Sequence, residues 1–275
     1  MRLVLFERAG GPPRPGLLTE RGVVSAAEVV PAGATPQATM VGLIDGFERL
    51  RPALETLAAT GTASPLESVR LRAPLPRPGK ILACIANYWE HGAMEARPLN
   101  MFLKNPDAVV GPGDTIVLPE FTEPWIFMHE AELALVIRGP AKGVRKEDWR
   151  SAVFGYTGMI DVSARGEGRR TWKTGSWLGK SFDTFAPLGP CIATGLDPHR
   201  LHIEARVNGD VRQSSSTDRL IFNVPTMVAF VSQVMTLYPG DVIATGTPPG
   251  IGPLARGDVV EIEIEGIGVL RNRVV

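Results

Sequence analysis

The chain has 275 residues, 44% of them hydrophobic, and its 29 basic and 29 acidic residues cancel to zero formal net charge. That balance describes a globular protein of one or two domains, and it leaves no basic footprint for nucleic acid or an anionic membrane surface. No stretch approaches the ~18 uninterrupted apolar residues of a membrane helix.

From the N-terminus, MRLVLFERAGG has a short apolar run closed at once by Glu7 and Arg8, without the apolar core of a signal peptide. Residues 2 to 6 and 22 to 30 read as short strands. Met40, Leu43, Ile44, Phe47, Leu50, Leu54 and Leu57 then repeat at helical spacing, with Pro52 expected to divide the helix or to start its second piece. APLPRPGK, residues 73 to 80, carries three prolines and favours an extended linker. A boundary there predicts a small N-terminal α+β domain over 1–75 and a β-rich domain over 76–275.

In the second part, strands are expected at 81 to 86, 115 to 118, 132 to 138, 154 to 162, 190 to 194 and 201 to 208. Asn208-Gly209 is a strong hairpin signal, because both central residues of such a turn take positive φ. Asn223 as cap, Pro225 in the first turn and Pro239-Gly240 as the stop bound one helix. The tail alternates polar and apolar residues across Gly266 to Gly268, as a terminal hairpin would. Cys84 and Cys191, far apart in sequence, are not a disulfide framework. They read as free thiols of a reducing compartment, so the expected location is cytoplasmic. The 24 prolines and 30 glycines favour many short elements joined by tight turns, an α+β, β-rich class.

Three carboxylates interrupt otherwise apolar runs: Glu130 and Glu132 in MHEAELALVI, and Asp161 in GYTGMIDVSAR. Residues i and i+2 of a strand share a face, so the two glutamates stand side by side. Leu133 to Ile137 is apolar at every position, which buries that strand. Unpaired buried carboxylates are costly and converging ones repel, a problem that a divalent cation solves. Oxygen ligands without cysteine suit Mg²⁺, Mn²⁺ or Ca²⁺. Other motifs fail: HEAEL has Leu133 where a zinc-protease helix needs its second His. GTPPGIG, residues 246 to 252, lacks the Gly-Lys-Ser/Thr of a phosphate loop. It is either a turn between strands or a carboxylate-holding loop of backbone amides with Thr245 and Thr247.

NYWEH, FLKNPDAVVGPGD, EAELALVI, GYTGMIDVSAR, GKSFDTFAPLGP, VNGDVRQ and TLYPGDVIATGTPPGIG, in this order, resemble the fumarylacetoacetate hydrolase family over about residues 78 to 275. The resemblance implies a mixed β-sandwich roll, a homodimer, and a Mg²⁺ or Mn²⁺ ion held by Glu130, Glu132 and Asp161. It implies a place for Lys180 near metal and substrate, against a purely structural ion pair. Arg165 matches a substrate-facing arginine, Lys104 a residue that either neutralises a neighbour or touches substrate, and Thr247 the loop receiving a substrate carboxylate. His91 matches a histidine that, with a glutamate three residues on, activates water. Here Met94 occupies that spacing and Glu95 follows, about 100° further round a helix. Gly168 stands in place of a frequent glutamine, Ile160 in place of a frequent asparagine, and residues 165 to 175 are unusually basic.

These residues predict a divalent-metal-dependent hydrolase that cleaves a carbon–carbon bond in a β-diketo acid, an acylpyruvate or fumarylacetoacetate-like substrate, through a stabilised enolate. The altered His91–Glu95 spacing keeps a second expectation open, a decarboxylase of oxaloacetate-like keto acids or an isomerase of 2-hydroxy-diene-dioates. A non-catalytic keto-acid-binding protein is the third. In each case the partner is a small-molecule keto acid, not nucleic acid or membrane.

Overall fold

A computed structural model describes residues 1–89, 98–120, 125–166 and 177–275. One long sheet runs in the order Ala63–Ser64, Gly22–Ser25, Arg14–Thr19, Arg2–Glu7, Ala186–Ala193, Val153–Ile160, Ala131–Ile137, Val242–Ala244, Ile81–Cys84 and Met101–Lys104. A five-stranded sheet orders Asp210–Ser216, His202–Val207, Val259–Ile264, Gly268–Val274 and Thr115–Ile116. A three-stranded sheet joins Ser163–Gly166, Trp125–Met128 and Pro253–Leu254. The class is the β-rich α+β expected.

The buried strand Ala131–Ile137 organises both cores. Leu133, Leu135 and Ile137 pack with Ile203, Ala205, Val260 and Ile262 of the five-stranded sheet, whereas Ala134 and Val136 pack with Leu5, Leu43 and Leu54 on the opposite side. This is the two-residue alternation of a strand buried on both faces. At Gly158, facing Leu133 across the ladder, an added Cβ would lie 2.9 Å from the Gly189 carbonyl and 3.1 Å from Ile262. Glycine there lets the two sheets close on each other.

The first strand, Arg2–Glu7, pairs with Ala186–Ala193 through Leu3↔Ile192, so residues from both sides of the prolines share one sheet. The helical stretch divides at Gly46, between Pro36–Asp45 and Phe47–Thr60, and Pro52 lies inside the second helix. Leu50 and Leu54, buried on either side of the exposed Pro52, hold that helix together by packing. The helix Val224–Val234 is capped by Asn223, whose side chain accepts from Thr226 N, but ends before Pro239. Leu237 instead bridges Ala141, which draws the chain out of the helix. Asn208 and Gly209 both have positive φ, and Ile264 pairs with Gly268 in the terminal hairpin.

Leu135 is fully buried in the first core. Leu135→Ala is expected to cost about 2–5 kcal/mol, read as a lower urea midpoint with unchanged denaturant slope.

Candidate functional site

Pairing of Ala131 with Ile160 carries the ladder one step past both strands, where Asp161 N–H donates to the Glu130 carbonyl at 2.8 Å. Glu130 and Asp161 are thereby fixed side by side, with Glu132 two residues along. One oxygen from each of the three lies within 4.8 Å of the others, and all three residues are buried.

Three cations converge on this acid cluster from separate elements. Lys180 closes the short helix Trp177–Lys180, and its Nζ donates to Glu130 Oε2 at 2.7 Å and to Asp161 Oδ2 at 2.6 Å. Gly179 lets that helix press against the carbonyl of Ala164, where a Cβ would collide. Lys104, on the edge strand Met101–Lys104, donates to Asp161 Oδ1 at 2.6 Å, Val162 O at 3.1 Å and Lys180 O at 2.5 Å. Arg165 Nη2 reaches Glu130 Oε1 at 3.0 Å beside Ser163 Oγ at 2.9 Å.

Electrostatics differ across the triad. Burial works against the Asp161 charge, but Lys104 and Lys180 outweigh it and hold its pKa below the usual value. Burial likewise opposes the Lys180 charge, and Asp161 and Glu130 overcome it, raising its pKa. Burial lowers the Lys104 pKa, while three acceptors around its ammonium group occupy its three hydrogens. Glu132 is the exception: among the described residues its only hydrogen bond comes from Gly246 N at 2.8 Å, and none of their cations pairs with it. Burial, then Asp161 and Glu130, push its pKa well above the usual value. An uncompensated buried carboxylate among hard oxygen donors fits a divalent cation such as Mg²⁺ or Mn²⁺.

Comparison with known proteins assigns the lineage. The family model described as fumarylacetoacetate (FAA) hydrolase C-terminal matches residues 80–275. The chain belongs to the fumarylacetoacetate hydrolase family. It is 41% identical over 255 residues to the mitochondrial oxaloacetate tautomerase Fahd2a of Rattus norvegicus, covering 86% of this chain and 80% of that protein. Among solved structures, maleylpyruvate hydrolase from Sphingobium sp. SYK-6, in complex with manganese(II) and pyruvate, superposes with a TM-score of 0.89 at 38% identity, over 100% of this chain and 99% of that one. The 5-carboxymethyl-2-hydroxymuconate delta-isomerase of Mycobacterium smegmatis gives 0.80 at 37% identity, over 100% and 98%.

Within this family member, Thr247 lies in the glycine-rich loop and its Oγ1 accepts from Gln213 Nε2 at 2.7 Å. Glu130, Glu132, Asp161, Lys104, Lys180 and Arg165 form one network, while His91 and Glu95 lie outside the described residues. Several site residues carry no distinctive sequence signal. Ser163 could have been found from its place two residues beyond Asp161. Asn87, fully buried, donates to Thr245 O at 2.8 Å and Phe222 O at 2.9 Å, tying the loop before residue 90 to the glycine-rich loop. Gly246 has φ +93°, and a Cβ there would meet Asn87 at 2.9 Å. Both the backbone and the space require glycine where its N–H meets Glu132. Cys84 is buried, and burial, then Glu132, push its thiol up to about 12, so it is not a nucleophile at neutral pH.

A cation entering this site has to displace the proton that Glu132 holds more tightly than an ordinary carboxyl. Below that raised pKa, Mn²⁺ affinity should increase with pH, and it should level off above. Calorimetry in two buffers of different ionisation enthalpy reads the released proton directly, and Glu132→Gln should remove both the release and the pH slope.

Proposed function

We propose that this chain is a divalent-metal-dependent hydrolase that cleaves a carbon–carbon bond in an acylpyruvate-type β-diketo acid, with Mg²⁺ or Mn²⁺ as its cation. The observation that carries this reading is charge. With all three carboxylates ionised, as cation binding requires, Glu130, Glu132 and Asp161 set against Lys104, Lys180 and Arg165 make the described cluster formally neutral before the cation's own charge is counted. With a divalent cation held by the three carboxylates it becomes doubly positive, complementary to a dianion: a carboxylate joined to an enolate oxygen. The similarity to maleylpyruvate hydrolase, solved with manganese(II) and pyruvate, supports the same ligand class.

When bound, the cation supplies concentrated positive charge against the oxygen that becomes anionic as the bond breaks. The protein's own groups carry the rest. Lys180, kept protonated by Asp161 and Glu130, is a donor and not a base. Arg165, partly exposed at the rim, faces the substrate's anionic oxygens, and Thr247 receives its carboxylate. Lys104, enclosed by its three acceptors, holds Asp161 and the Lys180 backbone in place. His91, assisted by Glu95, takes a proton from water as its oxygen bonds to the distal carbonyl carbon. The carbon–carbon bond then breaks to a carboxylic acid and the enolate of pyruvate, which a proton converts to pyruvate. Residues 1–75 extend the long sheet with their own strands, 76–275 carry the chemistry, and two chains associate as a homodimer in the cytoplasm.

A second reading uses the same enolate without attack by water, as an isomerase or tautomerase or as a decarboxylase of an oxaloacetate-like acid. It is favoured by the similarity to an oxaloacetate tautomerase and by the shifted glutamate at position 95. Coupling pyruvate release to lactate dehydrogenase, across a panel of acylpyruvates with Mn²⁺, tests the first reading; no release from any of them rejects it. His91→Ala should abolish that release, whereas enolate-based turnover of oxaloacetate should survive. Sedimentation equilibrium should report twice the chain mass, and a monomer throughout the micromolar range removes the dimer.

A further inference from the structure

Gln213 is the single buried residue of the strand Asp210–Ser216, an edge of the five-stranded sheet. In a regular strand it would share a face with Val211, yet Val211 is 55% exposed and Gln213 only 1%. The alternation breaks at a bulge: Ala205 pairs with Gln213 and Arg206 with Val211, leaving Arg212 unpaired. Bulges of this kind re-aim side chains, and here the glycine-rich loop is seated on it, since a Cβ at Gly250 would collide with the Arg212 carbonyl.

Turned inward, the Gln213 amide touches two elements of the site at once. Oε1 accepts from Ala131 N–H, between Glu130 and Glu132, at 3.0 Å and meets His129 Nδ1 at 3.2 Å. Nε2 donates to the Pro248 carbonyl at 2.6 Å and to Thr247 Oγ1 at 2.7 Å. A backbone N–H can only donate and a carbonyl can only accept, so these two groups fix which end of the amide is oxygen and which nitrogen. The amide nitrogen in turn cannot accept, which obliges the Thr247 oxygen to do so.

We propose that Gln213 is a positioning residue that sets the polarity of the Thr247 hydroxyl, turning its hydrogen away from the sheet to donate to the substrate carboxylate. The inference rests on the reading above that Thr247 meets that carboxylate. It makes the glycine-rich loop a donor site whose direction is decided by a side chain on a different sheet.

Oxalate, a dianionic stand-in for the pyruvate enolate, is the probe, with binding to the Mn²⁺-loaded protein followed by calorimetry and Mn²⁺ affinity followed separately by paramagnetic resonance. Gln213→Glu keeps the shape but offers only acceptors, so the Thr247 hydrogen turns back toward it. At saturating Mn²⁺, oxalate affinity is expected to fall about ten-fold or more, the scale of one hydrogen bond to a charged group, and the separate Mn²⁺ measurement reads what the added charge does to the metal. Thr247→Val should lose as much, the double variant no more than either alone, and Thr247→Ser should retain binding. Unchanged oxalate affinity in Gln213→Glu, or additive losses in the double variant, overturns the proposal. A neutron structure of the deuterated protein decides it independently of any ligand. A Thr247 deuterium pointing away from Gln213 supports it, and one pointing at Gln213 overturns it. Failure of the wild-type protein to bind oxalate would count instead against the keto-acid reading.

Discussion

Three carboxylate oxygens within 4.8 Å of one another repel strongly where water does not reach, and two buried lysines and an arginine are set against them. The compensation is uneven. Among the described residues, Asp161 receives two ammonium groups and Glu130 an ammonium, a guanidinium and a hydroxyl, while Glu132 receives one backbone N–H. That residual imbalance suits a further cation, and in the proposed reading the cation's own charge then favours a dianionic ligand. Removing a lysine would therefore do more than weaken one contact. It would leave the described cluster one charge negative without metal and only singly positive with a divalent cation, a poorer match for a dianion.

Much of the fold serves to bring these groups together from distant parts of the chain. The ladder between Ala131–Ile137 and Val153–Ile160 sets Glu130 against Asp161; an edge strand supplies Lys104, and a four-residue helix, seated on the strand Ser163–Gly166 because residue 179 is glycine, supplies Lys180. Gly246, with positive φ and no room for a side chain, carries its N–H to Glu132. Gln213 and Asn87 hold the glycine-rich loop from either side with amide groups alone. Neutral amides suit that task, since further charge would disturb the balance of the cluster.

The buried carboxylates were legible in the sequence because a charged residue inside an apolar run contradicts its surroundings. Leu133 to Ile137 announced a strand covered on both faces, and Asn208-Gly209 announced its hairpin, since few residue pairs adopt that turn. Gln213 left no comparable mark: its burial depends on a bulge at Arg212, set by pairing with Ala205 and Arg206, which no local pattern encodes. Lys104 and Lys180 were visible as residues matching a family pattern, but their convergence on Asp161 is a matter of tertiary packing. The end of the helix at Val234 was misplaced for a similar reason, because Leu237 leaves the helical path to bridge Ala141. Pro52 was overweighted as a breaker, since packing of Leu50 and Leu54 outweighs one lost backbone hydrogen bond.

Anomalous scattering from crystals soaked with Mn²⁺ and oxalate tests the charge argument most directly. One manganese ion is expected in contact with Glu130, Glu132 and Asp161, with oxalate bound beside it and Lys180 still paired to the acid cluster. Manganese bound elsewhere, or bound at the three carboxylates while oxalate stays away, would contradict it.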